Sequence, residues 1–169
     1  PWRRHDNLSI CSTPTELYAG LVDGSLRIWR RRNEMTIVAR AHAGRGVFVG
    51  VASDDSLVSV SRDGVVRRND SVVGSYDKTI VCASCALGFV ALGCKDGSVL
   101  LLDDESLHLR TSHQSSNVTV TSLLVTSSPP QLTENLSHAS SSVFVVAGYS
   151  DGSVRALRWA ATNAFQVDR

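Results

Sequence analysis

Short apolar runs alternate with small polar turn residues over most of this chain. Runs such as VFVGVA (47–52) and TIVCAS (79–84) are almost wholly apolar, which is typical of β-strands that are covered on both faces. Others, such as SLRIWR (25–30), alternate apolar and polar residues, which is typical of a strand with one face less buried. The pattern therefore predicts many short β-strands.

Asp-Gly pairs divide this pattern into four similar units. Each unit has an apolar run, two variable residues, an Asp-Gly pair and an alternating strand, and glycine tolerates the positive φ of a tight hairpin turn. The pairs are Asp23-Gly24, Asp63-Gly64, Asp96-Gly97 and Asp151-Gly152. Their spacing approaches the ~40 residues of a four-stranded propeller blade, once the Ser/Pro/Asn-rich stretch 126–142 is set aside as a loop insertion.

A histidine precedes three of the four turns. His5, His42 and His113 lie upstream of the first, second and fourth pairs, whereas the third unit has Ser75-Tyr76-Asp77 in that region. With the turns, this spacing resembles the WD-repeat family of β-propellers. There, Gly-His precedes the innermost strand, an Asp lies in the turn between the second and third strands, and Trp-Asp ends the third. The last site reads Trp29-Arg30, Asn69-Asp70, Leu102-Asp103 and Leu157-Arg158 in the four units of this chain.

The resemblance implies a structural hydrogen-bond tetrad of His, Ser or Thr, Asp and Trp in each blade. The second unit matches three members with His42, Ser59 and Asp63, while Asn69 replaces the tryptophan. The first unit also matches three, and the others fewer. Their matching residues are His5, Asp23 and Trp29 in the first unit, with Ala19 at the serine position, Asp96 in the third, and His113 and Asp151 in the fourth. These departures predict a divergent propeller that relies more on apolar packing.

The implied fold is an all-β propeller of about four four-stranded antiparallel blades in a partial ring. We expect blades over 5–40, 42–76, 77–111 and 113–169, with the outer strand of the third over 106–111. Rings of this family usually close with seven or eight blades, and four would leave a sheet edge and an apolar face open. We expect the ring to continue in residues outside this chain, with 2–5 as the end of a preceding blade, or to be covered by a partner. A second copy is a less favoured alternative.

Charge and cysteine content narrow the class of protein. The net charge is +1, so no general attraction to nucleic acid or anionic membrane is expected. No apolar run is long enough to span a bilayer. Cys82 and Cys85 have CxxC spacing, but an offset of three residues in a strand points them to opposite faces. We therefore expect small buried cysteines and an intracellular protein, cytoplasmic or nuclear.

Candidate chemistry is sparse. The His and Asp residues recur once per unit, which favours a scaffold over an active site, and no catalytic, cofactor-binding or metal-binding signature is found. The one dense basic group comprises Arg30, Arg31 and Arg32, with Arg67 and Arg68 at the matching end of the next unit. These arginines are candidates for binding an acidic partner or a phosphate backbone. The favoured interpretation is a solvated rim, since 103–105 place acids there one unit later.

The favoured function is a non-catalytic protein–protein interaction scaffold within a larger assembly. The alternative is an RNA-binding or ribonucleoprotein subunit that uses the arginine rim. A third hypothesis, an enzyme or small-ligand propeller using the central channel, is disfavoured because the inner strands offer almost no polar groups.

Overall fold

The described residues form four sheets of four strands each. The computed structural model describes residues 7–30, 35–38, 41–43, 46–69, 71–114, 117–127, 143–160 and 164–168. The first two sheets contain β1 (Asn7–Ser12), β2 (Glu16–Leu21), β3 (Leu26–Arg30) and β4 (Met35–Val38), then β5 (Val47–Val51), β6 (Leu57–Ser61), β7 (Val65–Arg68) and β8 (Ser71–Ser75). The other two contain β9 (Ile80–Ala86), β10 (Phe89–Cys94), β11 (Ser98–Asp103) and β12 (Leu109–Gln114), then β13 (Val120–Thr126), β14 (Val143–Tyr149), β15 (Val154–Ala160) and β16 (Ala164–Asp168).

Each sheet is an antiparallel meander in which strands pair in chain order. The sheets are the blades of a propeller, because the inner strands β1, β5, β9 and β13 pack side by side and join consecutive blades. This arrangement confirms the predicted all-β class with four four-stranded antiparallel blades.

The hydrophobic core lies in layers between the blades. Because consecutive residues of a strand point to opposite faces, one strand can serve two layers. In β10, Val90 and Leu92 pack in the layer shared with the second blade, whereas Ala91 packs in the layer shared with the fourth. Burial on both faces removes more apolar surface from water, and it explains why such strands are continuously apolar in sequence.

The outer strand of the third blade begins later than its sequence predicts. The Asp103 carboxylate accepts the backbone N–H groups of Glu105 and Ser106 at 3.1 and 2.9 Å, and Leu107 follows with a φ of 53°. This turn occupies the start of the predicted strand, so β12 begins at Leu109. The predicted insertion 126–142 lies almost wholly outside the described residues.

The described ranges contain no helix, and therefore no helix that is long and apolar enough to cross a membrane.

Candidate binding surfaces

The aspartate of each Asp-Gly turn accepts at least one hydrogen bond from a serine close to it in sequence. In three blades the Asp Oδ1 atom accepts the backbone N–H and the hydroxyl of the serine two positions later, at 2.9–3.0 Å and 2.6 Å. The three acids are Asp23, Asp96 and Asp151, and in the second blade Asp63 accepts the hydroxyl of Ser61 instead. The glycines that follow, Gly24, Gly64, Gly97 and Gly152, have φ values of 83–87°, which an L side chain rarely adopts. The carboxylates thus stabilise the turns in which they lie.

His42 and Ser59 meet in the interior of the second blade. Both are only 2 % exposed, and His42 Nε2 lies 2.9 Å from Ser59 Oγ. Within the described residues, His42 Nδ1 has no hydrogen-bond partner. Burial and the positive charge of Arg67 lower the pKa of His42 from 6.5 to about 4, although Asp63 opposes this. The imidazole is therefore neutral at physiological pH, and its hydrogen bond to Ser59 lies inside the blade.

The other candidate repeat residues occupy different settings. His5 lies outside the described residues. Trp29 is half-buried on the face of the first blade that points away from the second, since it pairs with Leu17 while Ile28 packs in the shared layer. His113 lies on β12, where burial and the charge of Arg155 lower its pKa. Asn69 accepts the Leu57 N–H at 3.1 Å through its side-chain oxygen.

A belt of hydrogen bonds joins each of the first three Asp-Gly turns to the following blade. The carbonyl of the residue just before the Asp accepts a bond from the start of the next inner strand. Val22 accepts from Gly46 N–H at 2.8 Å, Arg62 from Ile80 N–H at 2.8 Å, and Lys95 from the Thr119 hydroxyl at 2.8 Å. Sequence reasoning missed this belt, because the residues that supply the carbonyls share a position and not a side-chain type.

Two of the rim arginines, Arg30 and Arg68, are paired with acids of their own blades. Arg30 Nε lies 2.8 Å from Glu16 Oε1. Arg68 Nη2 lies 2.5 Å from Asp54 Oδ2, its Nε donates to Ser56 Oγ at 2.8 Å, and its Nη1 donates to the Glu105 carbonyl. The Nε atom of Arg67 is buried. Arg31 and Arg32 lie outside the described residues, so the structure describes three of the five candidate arginines.

The two lysines of the chain line one open depression of about 460 Å³ between the third and fourth blades. Lys78 pairs with Asp96, while Lys95 is exposed on the same depression with Asn117. Burial alone would raise the pKa of Asp96, but hydrogen bonds from Lys78 and Ser98 lower it to about 2. Two lysines facing Asp77 and Asp96 leave this depression with balanced charge.

A buried carboxylate joins the second and third blades. Asp104 is 2 % exposed, and it accepts the backbone N–H of Ser53 at 2.7 Å and the Ser53 hydroxyl at 3.1 Å. Its own N–H donates to the Gly88 carbonyl at 3.0 Å. Sequence reasoning placed this acid on a solvated rim, because the adjacent blade that covers it is distant in sequence.

The four cysteines are free thiols. Cys82 packs toward the fourth blade and Cys85 toward the second, so the CxxC pair points to opposite faces. Burial raises the pKa of each of these two thiols to about 12. No group of three or more potential metal ligands occurs among the residues that the structure describes.

Comparison with known proteins supports the fold and not a particular activity. No protein-family model and no curated protein sequence matches the chain. Among solved structures, the WD40 repeats of RRP9 are similar with a TM-score of 0.74 and 17% identity, over 99% of this chain and 54% of that one. Sqt1 of Saccharomyces cerevisiae is similar with a TM-score of 0.69 and 16% identity, over 98% and 48% of the two chains.

A computationally designed protein, Ika4, is similar over 92% of both chains, with a TM-score of 0.66 and 19% identity. The chain spans about half the length of RRP9 and Sqt1 in these comparisons. The antiparallel blades, the Asp-Gly turns and these likenesses agree on one architecture. The chain has the fold of a WD-repeat β-propeller, represented by four consecutive blades.

Proposed function

We propose that this chain is a non-catalytic protein-interaction scaffold that acts within a larger multiprotein assembly. The observation that carries the proposal is that the repeated His and Asp residues are used in the fold. His42 is buried against Ser59, and the turn carboxylates accept hydrogen bonds from neighbouring serines. A propeller offers many loops and outer strands as independent surfaces, although a fold alone selects no partner.

The exposed side chains favour a protein partner. Val72 and Val73 on the outer strand of the second blade are 56% and 43% exposed, and Leu109 on that of the third is 46% exposed. β8 carries no charged residue. A protein partner can bury exposed apolar side chains such as these, whereas a phosphate backbone needs uncompensated cations.

RNA binding through the arginine rim remains the alternative function. Arg30 and Arg68 would have to exchange their ion pairs with Glu16 and Asp54 for phosphate contacts. That exchange lowers the net gain from each contact, because a carboxylate is left unpaired. The free thiols support an intracellular location, cytoplasmic or nuclear, since disulfides form mainly in oxidising compartments.

The test is purification of the tagged chain from its native cells, followed by chemical cross-linking and nuclease treatment. We expect stoichiometric protein partners that survive nuclease and that cross-link to exposed loops or outer strands. The double variant Arg30→Ala/Arg68→Ala should retain them. Loss of the partners on nuclease treatment, with a steep dependence on salt, would instead establish the RNA-binding alternative.

A further inference from the structure

The contact between consecutive blades repeats three times within the chain, so equivalent positions can be compared in four blades. The third residue after each turn Asp points toward the next blade. Leu26, Val66 and Val99 are 4%, 0% and 0% exposed at this position, whereas Val154 of the fourth blade is 69% exposed. The fourth blade therefore presents a blade-binding face that nothing in the described chain covers.

The first blade presents the matching opposite face. The sixth residue before each turn Asp points toward the preceding blade. Leu57, Val90 and Val145 are 7%, 1% and 0% exposed at this position, whereas Leu17 of the first blade is 40% exposed. Ile10, on the inner strand of the same face, is 59% exposed. Each end of the four-blade stack thus leaves apolar side chains uncovered.

We propose that a second copy of this chain covers both faces. The fourth blade of each copy would pack on the first blade of the other, so that two equivalent contacts close an eight-bladed, two-fold symmetric ring. Two copies would supply eight blades, a number found among β-propellers. The inference does not depend on the proposed scaffold role.

The three contacts between blades inside the chain share one pattern of side-chain sizes on the inner strands. At the centre of each internal contact, a small residue of one inner strand faces a larger residue of the next. Gly50 faces Cys85, since a Cβ added to Gly50 would overlap the Cys85 Cβ atom. Ser84 faces Val125, whose backbone N–H donates to Ser84 Oγ at 3.3 Å. By strand register Cys11 is the small residue of the first blade.

The two open faces reverse this order of sizes. Leu124 occupies the equivalent of Gly50 and Ser84 in the fourth blade, and it is 57% exposed. Ser12 occupies the equivalent of Cys85 and Val125 in the first blade, and it is exposed. A bulky Leu124 would clash with a bulky residue on an ordinary following blade, but it complements Ser12 of a second copy. This reversal favours a second copy over another kind of blade.

Polar groups on the two faces complement each other as well. Inside the chain, Ser9 Oγ donates to the Val49 carbonyl at 3.1 Å and accepts the Val49 N–H at 3.0 Å. Ser122 is the equivalent of Ser9 on the open fourth blade, and Ile10 is the equivalent of Val49 on the open first blade. The same pair of hydrogen bonds can therefore form between Ser122 of one copy and the Ile10 backbone of the other.

The carbonyl belt continues across the proposed contact. Ser150 precedes the turn Asp of the fourth blade, as Arg62 does in the second. Its carbonyl accepts no hydrogen bond from the described part of the chain. Asn7 is the register equivalent of Ile80, whose N–H donates to Arg62. The Asn7 N–H of a second copy would thus reach the Ser150 carbonyl.

The test measures the mass of the purified chain in solution by light scattering and analytical ultracentrifugation over a range of concentrations. We expect a dimer of about twice 18.2 kDa. Ser12→Leu should place two leucines against each other and raise the dissociation constant about a hundredfold. Leu124→Ser should weaken the dimer by leaving a cavity, and Ser12→Leu/Leu124→Ser should restore it by exchanging the two sizes.

Val72→Arg is the matched control, because Val72 is 56% exposed but lies on an outer strand away from both faces. It should leave the dimer intact, and circular dichroism should show folded protein in every variant. A wild-type monomer at all concentrations, or growth into filaments, would overturn the proposal. So would a dimer that Ser12→Leu leaves unchanged, or one that the double variant fails to restore.

Discussion

Acid should destabilise this protein through the buried His42, at a pH well above that at which the carboxylates of the protein become protonated. The folded chain holds the imidazole neutral, because burial and the charge of Arg67 lower the pKa of His42 to about 4. The unfolded chain binds a proton near the ordinary pKa of 6.5. The unfolded state therefore takes up more protons between these two values. The contribution of His42 to stability is complete above pH 6.5 and is lost as the pH falls toward 4.

The two pKa values set the size of the effect. Proton linkage converts them into a loss of about 2 kcal/mol in the free energy of unfolding between pH 7.5 and pH 5, and about 3 kcal/mol by pH 4. The pKa of Asp96 and of Asp103 is about 2 in the folded chain. Those acids therefore lose their stabilising effect mainly below their unfolded value of 3.8, so the His42 contribution is separable above pH 5.

The assay is urea unfolding at pH 7.5 and pH 5 for wild type, His42→Gln and His108→Gln. His42→Gln should lose about 2 kcal/mol of the pH dependence, whatever its stability at neutral pH. His108→Gln changes an exposed histidine and should keep the wild-type dependence. An equal response of His42→Gln and wild type to acid would show that His42 is not the source of the pH dependence. His113, whose pKa is also lowered, contributes in the same direction to all three proteins and cancels in the comparison.

Three further measurements test packing between the blades. Gly20→Ala should lower the free energy of unfolding, measured in urea, by roughly 1–3 kcal/mol. The reason is that the new Cβ atom would lie 2.7 Å from a backbone carbonyl carbon of the second blade. The control Gly74→Ala should be tolerated, because its Cβ atom would have its nearest contact at 3.7 Å. Asp104→Ala should lower the free energy of unfolding by about 1–3 kcal/mol, because a backbone N–H of the second blade would lose its acceptor. The control Glu105→Ala, which changes the exposed neighbouring residue, should alter that free energy little. The Cys82 thiol, whose pKa burial raises from 9.0 to about 12, should react with iodoacetamide about a thousandfold more slowly in the native chain than in urea; equal rates would refute its burial.

The strands and hairpins were predictable because their signals are local. An Asp-Gly pair, a serine two positions later and alternating apolar residues specify a turn and its flanking strands within about ten residues. The third outer strand was misplaced because its start depends on backbone N–H groups that donate hydrogen bonds to the Asp103 carboxylate. In the sequence, 106–111 resembles any other polar-apolar alternation.

Contacts that join residues distant in sequence, both within a blade and between blades, were harder to predict. Arg68 appeared to be a free cation, since its partner Asp54 lies across the sheet and 14 positions earlier. The carbonyl belt gives no compositional signal at all, because a backbone carbonyl is present in every residue.

The belt of hydrogen bonds also has a consequence for how the molecule unfolds. Each bond ties one blade to its immediate successor, so the chain behaves as a row of units coupled to nearest neighbours. The second and third blades have a neighbour on both sides, whereas the first and fourth each have one within the row. Backbone amides of the middle blades should therefore exchange most slowly with solvent, and opening should begin at the two ends. In a closed ring this gradient would disappear, because no blade would then be terminal.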